Sequence, residues 1–202
     1  GHCNRRYFVL TINYMSQNFY IPNHMTAIVT TGNGGFEKLS YKTVKTPVIN
    51  KNEVLVKVLA AGINNTEINT RIGWYSSSVQ SGTETLHKNI EEVRSYKNAG
   101  WNGDTNFPLI QGTDCCGIVV NCKDNKFNSL LGKRVIIRPC IRVEGFSSRQ
   151  KIWMASNFDG AFAEYVKVPA TEVFPIECDW SHAELATIPC SYGSSENMLL
   201  VS

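Results

Sequence analysis

Two short polar clusters contain side chains that could bind a ligand. Asn64, Thr66 and Glu67 follow the alternating apolar run at 53–59, and Thr113 and Asp114 follow a second glycine-containing turn. Amide, hydroxyl and carboxyl groups at strand ends are held by the scaffold and can still be reached by a ligand. The same residue types also cap helices and form Asx turns, so a purely structural turn is the alternative interpretation.

The elements that must position these clusters are mostly strands. β-Branched runs at 26–31 and 39–44 flank a glycine-rich turn at 32–35, which predicts a hairpin. Alternating or apolar runs predict further strands, and they lie at 53–60, 115–120, 134–138, 160–168 and 173–175. The sequence therefore predicts a mainly β (α+β) fold.

Helices are predicted to be few and short. Residues 66–71 predict one helical turn, and the spacing of Ser181 and Glu184 predicts a capping box that begins a helix ended by Pro189. The polar stretch 76–106 contains Leu86, Ile90 and Val93 at helical spacing. We expect a short helix there that covers the site, with a movable lid as the alternative.

Composition limits the classes of partner. The net charge of +3 over 202 residues is small and spread along the chain, so no nucleic-acid partner is expected. No run is long and apolar enough for a bilayer span, so no membrane partner is expected either. Seven cysteines, an odd number in a chain of this size, favour a reduced, cytoplasmic setting over a disulfide framework.

The two ends differ from the middle. Residues 1–24 precede the pattern that begins at Met25, and we interpret them as a tag-derived segment or an extension read from an upstream start codon. Residues 191–202 predict the start of a helix. No Gly-x-Gly-x-x-Gly follows a strand, so a Rossmann domain is not predicted within this chain.

The order of the motifs from Met25 to Leu200 resembles the N-terminal, GroES-like domain of the medium-chain dehydrogenase/reductase superfamily. That superfamily contains zinc alcohol dehydrogenases and zinc-free quinone reductases. The resemblance implies a partly open, bent β-barrel at 25–190, followed at 191–202 by a helix leading to a nucleotide-binding domain absent from this chain. The matching stretches are 27–32, 52–58, 61–64, 110–119, 131–135, 159–166 and 186–190.

The resemblance also bears on metal binding. A zinc alcohol dehydrogenase would have cysteine, histidine and cysteine where this sequence has Asn64, Thr113 and Cys190. Amides and hydroxyls do not bind Zn²⁺ as thiolates and imidazoles do, so we expect no metal. A zinc site with unusual ligands, formed by Cys190, Asp114 and His87, is the less favoured alternative.

Without those zinc ligands, the pattern of residues in the two turns is similar to that of the zinc-free quinone and enone reductases. The resemblance implies NADP(H) or NAD(H) as cofactor of a full-length enzyme and a small quinone, enone or carbonyl as substrate. Asn64, Thr66 and Tyr75 are the candidate catalytic donors to the oxygen that becomes negative, and Asn64 is the first choice. Asn64, Thr113 and Cys190 are the candidate cofactor contacts, although Asn64 could simply cap the turn and Cys190 could simply pack.

Three further expectations complete the hypothesis. The resemblance implies that Glu67 and Asp114 hold nearby basic groups or backbone amides. We expect structural ion pairs, with Arg71 or Arg138 as partners, in preference to general acid catalysis. The fragment is expected to be inactive and to bind the cofactor weakly, because the nicotinamide site would lie mostly on the missing domain. The alternative function is a non-catalytic binding or scaffold module that forms a homo-oligomer through an uncovered apolar face at 198–200.

Overall fold

The computed structural model describes residues 19–76, 79, 104–142 and 151–200. The strands are β1 His24–Thr30, β2 Leu39–Lys45, β3 Glu53–Gly62, β4 Leu109–Ile110, β5 Asp114–Cys122, β6 Arg134–Ile137, β7 Cys140–Arg142, β8 Lys151–Trp153, β9 Tyr165–Pro169 and β10 Val173–Pro175. The α-helices are α1 Asn65–Arg71, α2 His182–Leu185 and α3 Pro189–Leu200. Three 3₁₀ turns lie at Phe36–Lys38, Asn125–Leu130 and Ala170–Glu172.

The first sheet contains three strands in the order β2-β1-β4. β1 pairs antiparallel with β2 from His24 opposite Lys45 to Thr30 opposite Leu39, so the predicted hairpin is confirmed. Met25, Ala27 and Val29 alternate along β1 and are buried, as the period of two in a half-buried strand requires. Part of the segment before Met25 also packs on this domain, since Phe19 and Ile21 contact the same apolar cluster.

The second sheet contains five strands in the order β10-β6-β5-β3-β9. Its central strands, β3 and β5, are antiparallel, and their register places Gly62 opposite Asp114. The end of β3 therefore adjoins the start of β5. The two polar clusters that the sequence separates by about fifty positions meet at this edge for that reason.

The sheets are bent, and the strands of the described residues do not close into a barrel. Register shifts between Leu55 and Val56, and between Val58 and Ala60, interrupt the ladder of β3 and bend it. A bridge between Ala27 and Ala163 joins the first sheet to the segment before β9, and β7 and β8 form a separate hairpin. The predicted mainly β, partly open GroES-like architecture is confirmed.

Two predicted boundaries are wrong, each for a local reason. β9 begins at Tyr165 and not at Gly160, because the backbone N–H groups of Gly160, Ala161 and Phe162 donate to carbonyls at 110–112. Pro189 was predicted to end a helix, but it is the first residue of α3, where its missing N–H leaves no bond unmade. The helix predicted around Leu86, Ile90 and Val93 lies outside the described residues.

The larger apolar cluster is formed mainly by strands of the five-stranded sheet. Val54 and Val56 of β3, Val119 of β5 and Val135 of β6 are fully buried in one apolar cluster. Cys115 belongs to the same cluster, as its place on a predicted strand indicated. Within the described ranges, no helix combines the length and the apolar character needed to cross a bilayer.

Candidate functional site

The candidate site lies where three elements meet. Asn64 is the residue before α1, Thr113 and Asp114 stand at the start of β5, and Cys190 is the second residue of α3. The Cα of Gly62 faces Asp114 across the ladder, and a Cβ at position 62 would lie 2.5 Å from the Ala186 carbonyl oxygen. Glycine therefore permits the close approach that brings the segment before α3 to this edge.

The Asn64 side chain joins both polar clusters. Its Nδ2 donates to Thr113 Oγ1 at 3.1 Å and to Asp114 Oδ2 at 2.9 Å. The amide orientation follows from chemistry, because a carboxylate accepts from an N–H and repels an amide oxygen. Both amide hydrogens are used in these two bonds. Oδ1 can only accept; it faces the backbone N–H of Glu67 in the capping box and keeps its second lone pair for a ligand.

Glu67 holds the second strand end against α1. Its Oε1 accepts from the backbone N–H of Thr113 at 2.9 Å and from the Thr113 hydroxyl at 2.8 Å. Its Oε2 accepts from the backbone N–H of Asn64 at 2.7 Å, which is half of a capping box. Burial raises the pKa of Glu67, and these hydrogen bonds act in the opposite direction.

Asp114 ties β5 to both α1 and α3. Its side chain is buried, Oδ1 accepts from the backbone N–H of Cys190 at 2.7 Å, and Oδ2 accepts from Asn64. Burial raises the pKa of Asp114, while the bonds from Asn64 and Cys190 lower it. The carboxyl group therefore fixes the position of Cys190 through the backbone.

The expected ion pairs of Glu67 and Asp114 are not formed. Arg71 donates to the Gly34 carbonyl at 2.8 Å, and Arg138 pairs with Glu172 at 2.7 Å. The two carboxyl groups are satisfied instead by N–H and O–H donors from Asn64, Thr113 and Cys190. Because these neutral donors occupy all four carboxyl oxygens, no basic side chain is needed to stabilise them.

The donor set does not fit a cation. Among the described residues, no group of three histidine, cysteine, aspartate or glutamate side chains is placed to hold a metal ion. Asn64 directs its amide hydrogens, and not a lone pair, toward Asp114. The pKa of the Cys190 thiol is raised by burial first and by the nearby Asp114 second. His87 lies outside the described residues.

The remaining candidate donors lie along α1 and just after it. Thr66 is in the first turn, half-buried, and its hydroxyl forms no side-chain hydrogen bond with the described residues. Tyr75 lies in the turn that follows the helix and packs edge-on against Trp74, with ring centroids 5.4 Å apart. Thr66 and Tyr75 are not partners in the hydrogen bonds that join Asn64, Thr113 and Asp114.

Gln111 and Thr30 form a buried pair that supports Glu67 and was not predicted from the sequence. Gln111 Nε2 donates to the Glu67 carbonyl at 3.1 Å, and its Oε1 accepts from the Thr30 hydroxyl at 2.8 Å. Both side chains are buried and link the first sheet to α1. The sequence signal was weak, since a glutamine before a glycine has no characteristic spacing to its partners.

Comparison with known proteins supports a family assignment. Residues 50–178 match the family described as alcohol dehydrogenase GroES-like domain. The crotonyl-CoA carboxylase/reductase of Cereibacter sphaeroides is 27% identical over 165 residues, which are 75% of this chain and 33% of that protein. The human mitochondrial NAD(P)H oxidoreductase RTN4IP1 is 26% identical over 146 residues, which are 71% of this chain and 30% of that protein.

Solved structures support the same family assignment. One solved structure is that of a protein from Sinorhizobium meliloti 1021 provisionally described as an alcohol dehydrogenase. It superimposes on this chain with a TM-score of 0.72, and the two sequences are 34% identical. The match covers 89% of this chain and 47% of the other. The chain thus spans between 30% and 47% of the length of these relatives.

Proposed function

Because the chain belongs to the alcohol dehydrogenase GroES-like domain family of the medium-chain dehydrogenase/reductase superfamily, we propose that it is the substrate domain of a zinc-independent, NAD(P)H-dependent oxidoreductase. The acceptor is a quinone, an enone or another small carbonyl compound. The relatives include proteins named as NAD(P)H oxidoreductases and alcohol or polyol dehydrogenases. The single observation that carries the proposal is the Asn64 amide, which donates to Asp114.

Zinc independence rests on the direction of these hydrogen bonds. A catalytic zinc needs lone pairs that converge on one point. Here the Asn64 amide hydrogens point at Thr113 and Asp114, and both Glu67 oxygens receive donors. The cluster is therefore closed by its own hydrogen bonds, and it supports hydride chemistry without a Lewis acid from the protein.

The roles of the side chains follow from which atoms remain available. The nicotinamide supplies the hydride when it is bound, and the protein orients the acceptor and stabilises its negative oxygen. The Thr66 hydroxyl replaces Asn64 as the first-choice donor to that oxygen, because both Asn64 amide hydrogens are already used and the Thr66 hydroxyl is not used within the described structure. Tyr75 is the second candidate donor. The Asn64 Oδ1 accepts from a cofactor hydroxyl, beside Thr113 and Cys190.

Activity belongs to a longer polypeptide in this proposal. The curated relatives and solved structures are two to three times as long as the segment they share with this chain. We therefore propose that this chain alone binds NADPH or NADH weakly and is inactive. In this proposal the nicotinamide binds between this domain and a nucleotide-binding domain, and the described residues form only the first of these two sides.

The test uses the complete reading frame that encodes this chain, expressed and assayed as one protein. The expected results are saturable binding of NADPH or NADH, reduction of a quinone or enone, and zinc well below one atom per chain after chelation. Replacing Thr66 with valine is expected to lower kcat about 100-fold, whereas Thr66→Ser keeps the hydroxyl and most of the activity. One tightly held zinc per chain, with activity lost on its removal, contradicts the proposal.

A second candidate function is a non-catalytic interaction module. Tyr192, Met198 and Leu199 of α3 are between 66% and 80% exposed, which is unusual for large apolar side chains close to one another in sequence. Such a helix face favours self-association of this chain. Light scattering of the 202-residue chain distinguishes the candidates, since a stable dimer that Met198→Glu dissociates supports the module.

A further inference from the structure

A surface cavity lies at the end of the strands opposite the candidate site. Its volume is about 410 Å³. The wall is formed by residues 21–24 before and at the start of β1, 45–49 at the end of β2 and after it, Leu55 near the start of β3, and the end of β5 with the residue after it. Leu55 and Gly62 are separated along β3 by a distance on the order of 20 Å, so this cavity is distinct from the cluster around Asn64.

The cavity wall is cationic. Lys45, Lys123 and His24 line it, together with the amides of Asn23 and Asn121, and no acidic side chain does. In the described part of the chain, neither lysine has an ion-pair partner, and Asp124 next to Lys123 pairs instead with Lys126 at 3.4 Å. Two ammonium groups without counter-charges favour an anionic ligand.

The cavity also has an apolar floor and an unused polar group. Ile49 and Leu55 are both 2% exposed and form part of the floor, next to Pro22 and Pro47. The hydroxyl oxygen of Thr46 is buried and has no hydrogen-bond partner among the described residues. A buried hydroxyl without a partner is costly and uncommon, and it points to a group that is bound there in use.

We propose that this cavity binds a small organic anion, with a carboxylate or phosphate head placed between Lys45 and Lys123 and an apolar body on Ile49 and Leu55. Its volume lies within the range of about 300–1,000 Å³ that small-molecule sites occupy. Lysines act as point charges and accept either head group, so both belong to one ligand chemistry. The buried Thr46 hydroxyl, which has no partner among the described residues, supplies a further hydrogen bond once its side chain turns toward the ligand.

The test is an NMR titration of the ¹⁵N-labelled 202-residue chain with benzoate, phenyl phosphate and neutral benzyl alcohol. Saturable shifts at 45–49 and 121–123 with either anion, and none with benzyl alcohol, support the proposal. The ratio of the two dissociation constants distinguishes a carboxylate site from a phosphate site. Absence of binding by both anions, or equal binding of benzyl alcohol, overturns it.

Matched variants separate a site from general positive charge. Lys45→Gln with Lys123→Gln is expected to weaken binding about tenfold or more, since hydrogen bonds to charged groups are lost. Lys42→Gln with Lys57→Gln removes the same charge from exposed positions outside the cavity and is expected to leave binding unchanged. Equal weakening by both pairs overturns the proposal.

The Thr46 hydroxyl is tested by Thr46→Val, which keeps the shape and removes the polar group. Binding of the anion is expected to weaken about fivefold, while the Tm of the free protein stays the same or rises because an unpaired buried hydroxyl is removed. Unchanged binding with a higher Tm would show that the hydroxyl does not contact the ligand and would overturn that part of the proposal.

Discussion

The carboxamide nitrogen of Asn64 lies 2.9 Å from Oδ2 of Asp114, across 50 positions of sequence. The second amide hydrogen reaches the hydroxyl of Thr113. The Thr113 hydroxyl in turn donates its hydrogen to Glu67, so the direction of each bond in the cluster is determined. Asn64 therefore offers a ligand only an acceptor, and under the proposed function the donor to a substrate oxygen would be Thr66 or Tyr75.

Replacing Asn64 with aspartate tests this relationship directly. Aspartate caps a helix about as well as asparagine, so a residue that served only as a cap would tolerate the change. In this structure a second carboxylate would face buried Asp114, and we expect a loss of about 3 kcal/mol in the free energy of unfolding at pH 7. Urea denaturation measures it.

The control is Asn65→Asp, one residue further along. Asn65 is exposed in the first turn of α1, where a negative charge is favourable, so its replacement is expected to be neutral or slightly stabilising. Lowering the pH should restore stability to the Asn64→Asp variant, because protonation of one carboxyl removes the repulsion. Equal, small effects of both substitutions would show that Asn64 is only a cap.

Glu67→Gln is expected to change both the stability and its pH dependence. Three donors converge on the Glu67 carboxyl, and a glutamine amide would turn its NH₂ toward at least one of them. The expected cost is about 1–3 kcal/mol. Equilibrium unfolding in urea between pH 4 and pH 8 measures both effects.

The sign of the pH effect follows from the raised pKa of Glu67. An acid whose pKa is higher in the folded protein stabilises it fully below the ordinary value of 4.5, and this contribution is lost as the pH rises through the folded pKa. The glutamine variant lacks that loss, so its stability should decline less steeply with rising pH than that of the unchanged protein. Part of the decline should remain in the glutamine variant, because the pKa of Asp114 is also raised. A steeper decline in the variant would contradict this account.

Sequence patterns predicted the strands well and the contacts within the site poorly. Alternation identified β1, β3 and β5 because one face of each is buried, and spacing identified the capping box of Ser181 and Glu184. The partners of Glu67 could not be predicted, because the bulges of β3 and the register with β5 decide which atoms meet. Ion pairs were expected from the resemblance to related enzymes, whose acids hold basic groups or backbone amides, whereas here Thr113 and Asn64 supply uncharged donors.

Gly62→Ala is expected to displace the backbone that packs against Asp114 in the candidate site. A Cβ there would lie 2.5 Å from the Ala186 carbonyl oxygen and 2.9 Å from Asp114 Cβ, so backbone would have to move. We expect a loss of about 1–3 kcal/mol, measured by thermal and urea unfolding. Gly32→Ala is the matched control, since a Cβ at Gly32 meets nothing within 4 Å and should cost little. Equal losses at both positions would mean that the close approach at Gly62 is unimportant.

The cysteines of the described residues should react with iodoacetamide in an order determined by burial and thiol pKa. Cys178 is exposed and is expected to be alkylated first. Cys190 should react more slowly at pH 7.5, because burial and the nearby Asp114 raise its pKa and reduce the thiolate fraction. Cys115 is fully buried with a strongly raised pKa, so it should stay unmodified while the protein is folded. Peptide mass spectrometry over time measures the order, and labelling in urea, where all sites should react at similar rates, is the control. Early modification of Cys190 would show that its thiol is more accessible and more acidic than its position beside Asp114 implies.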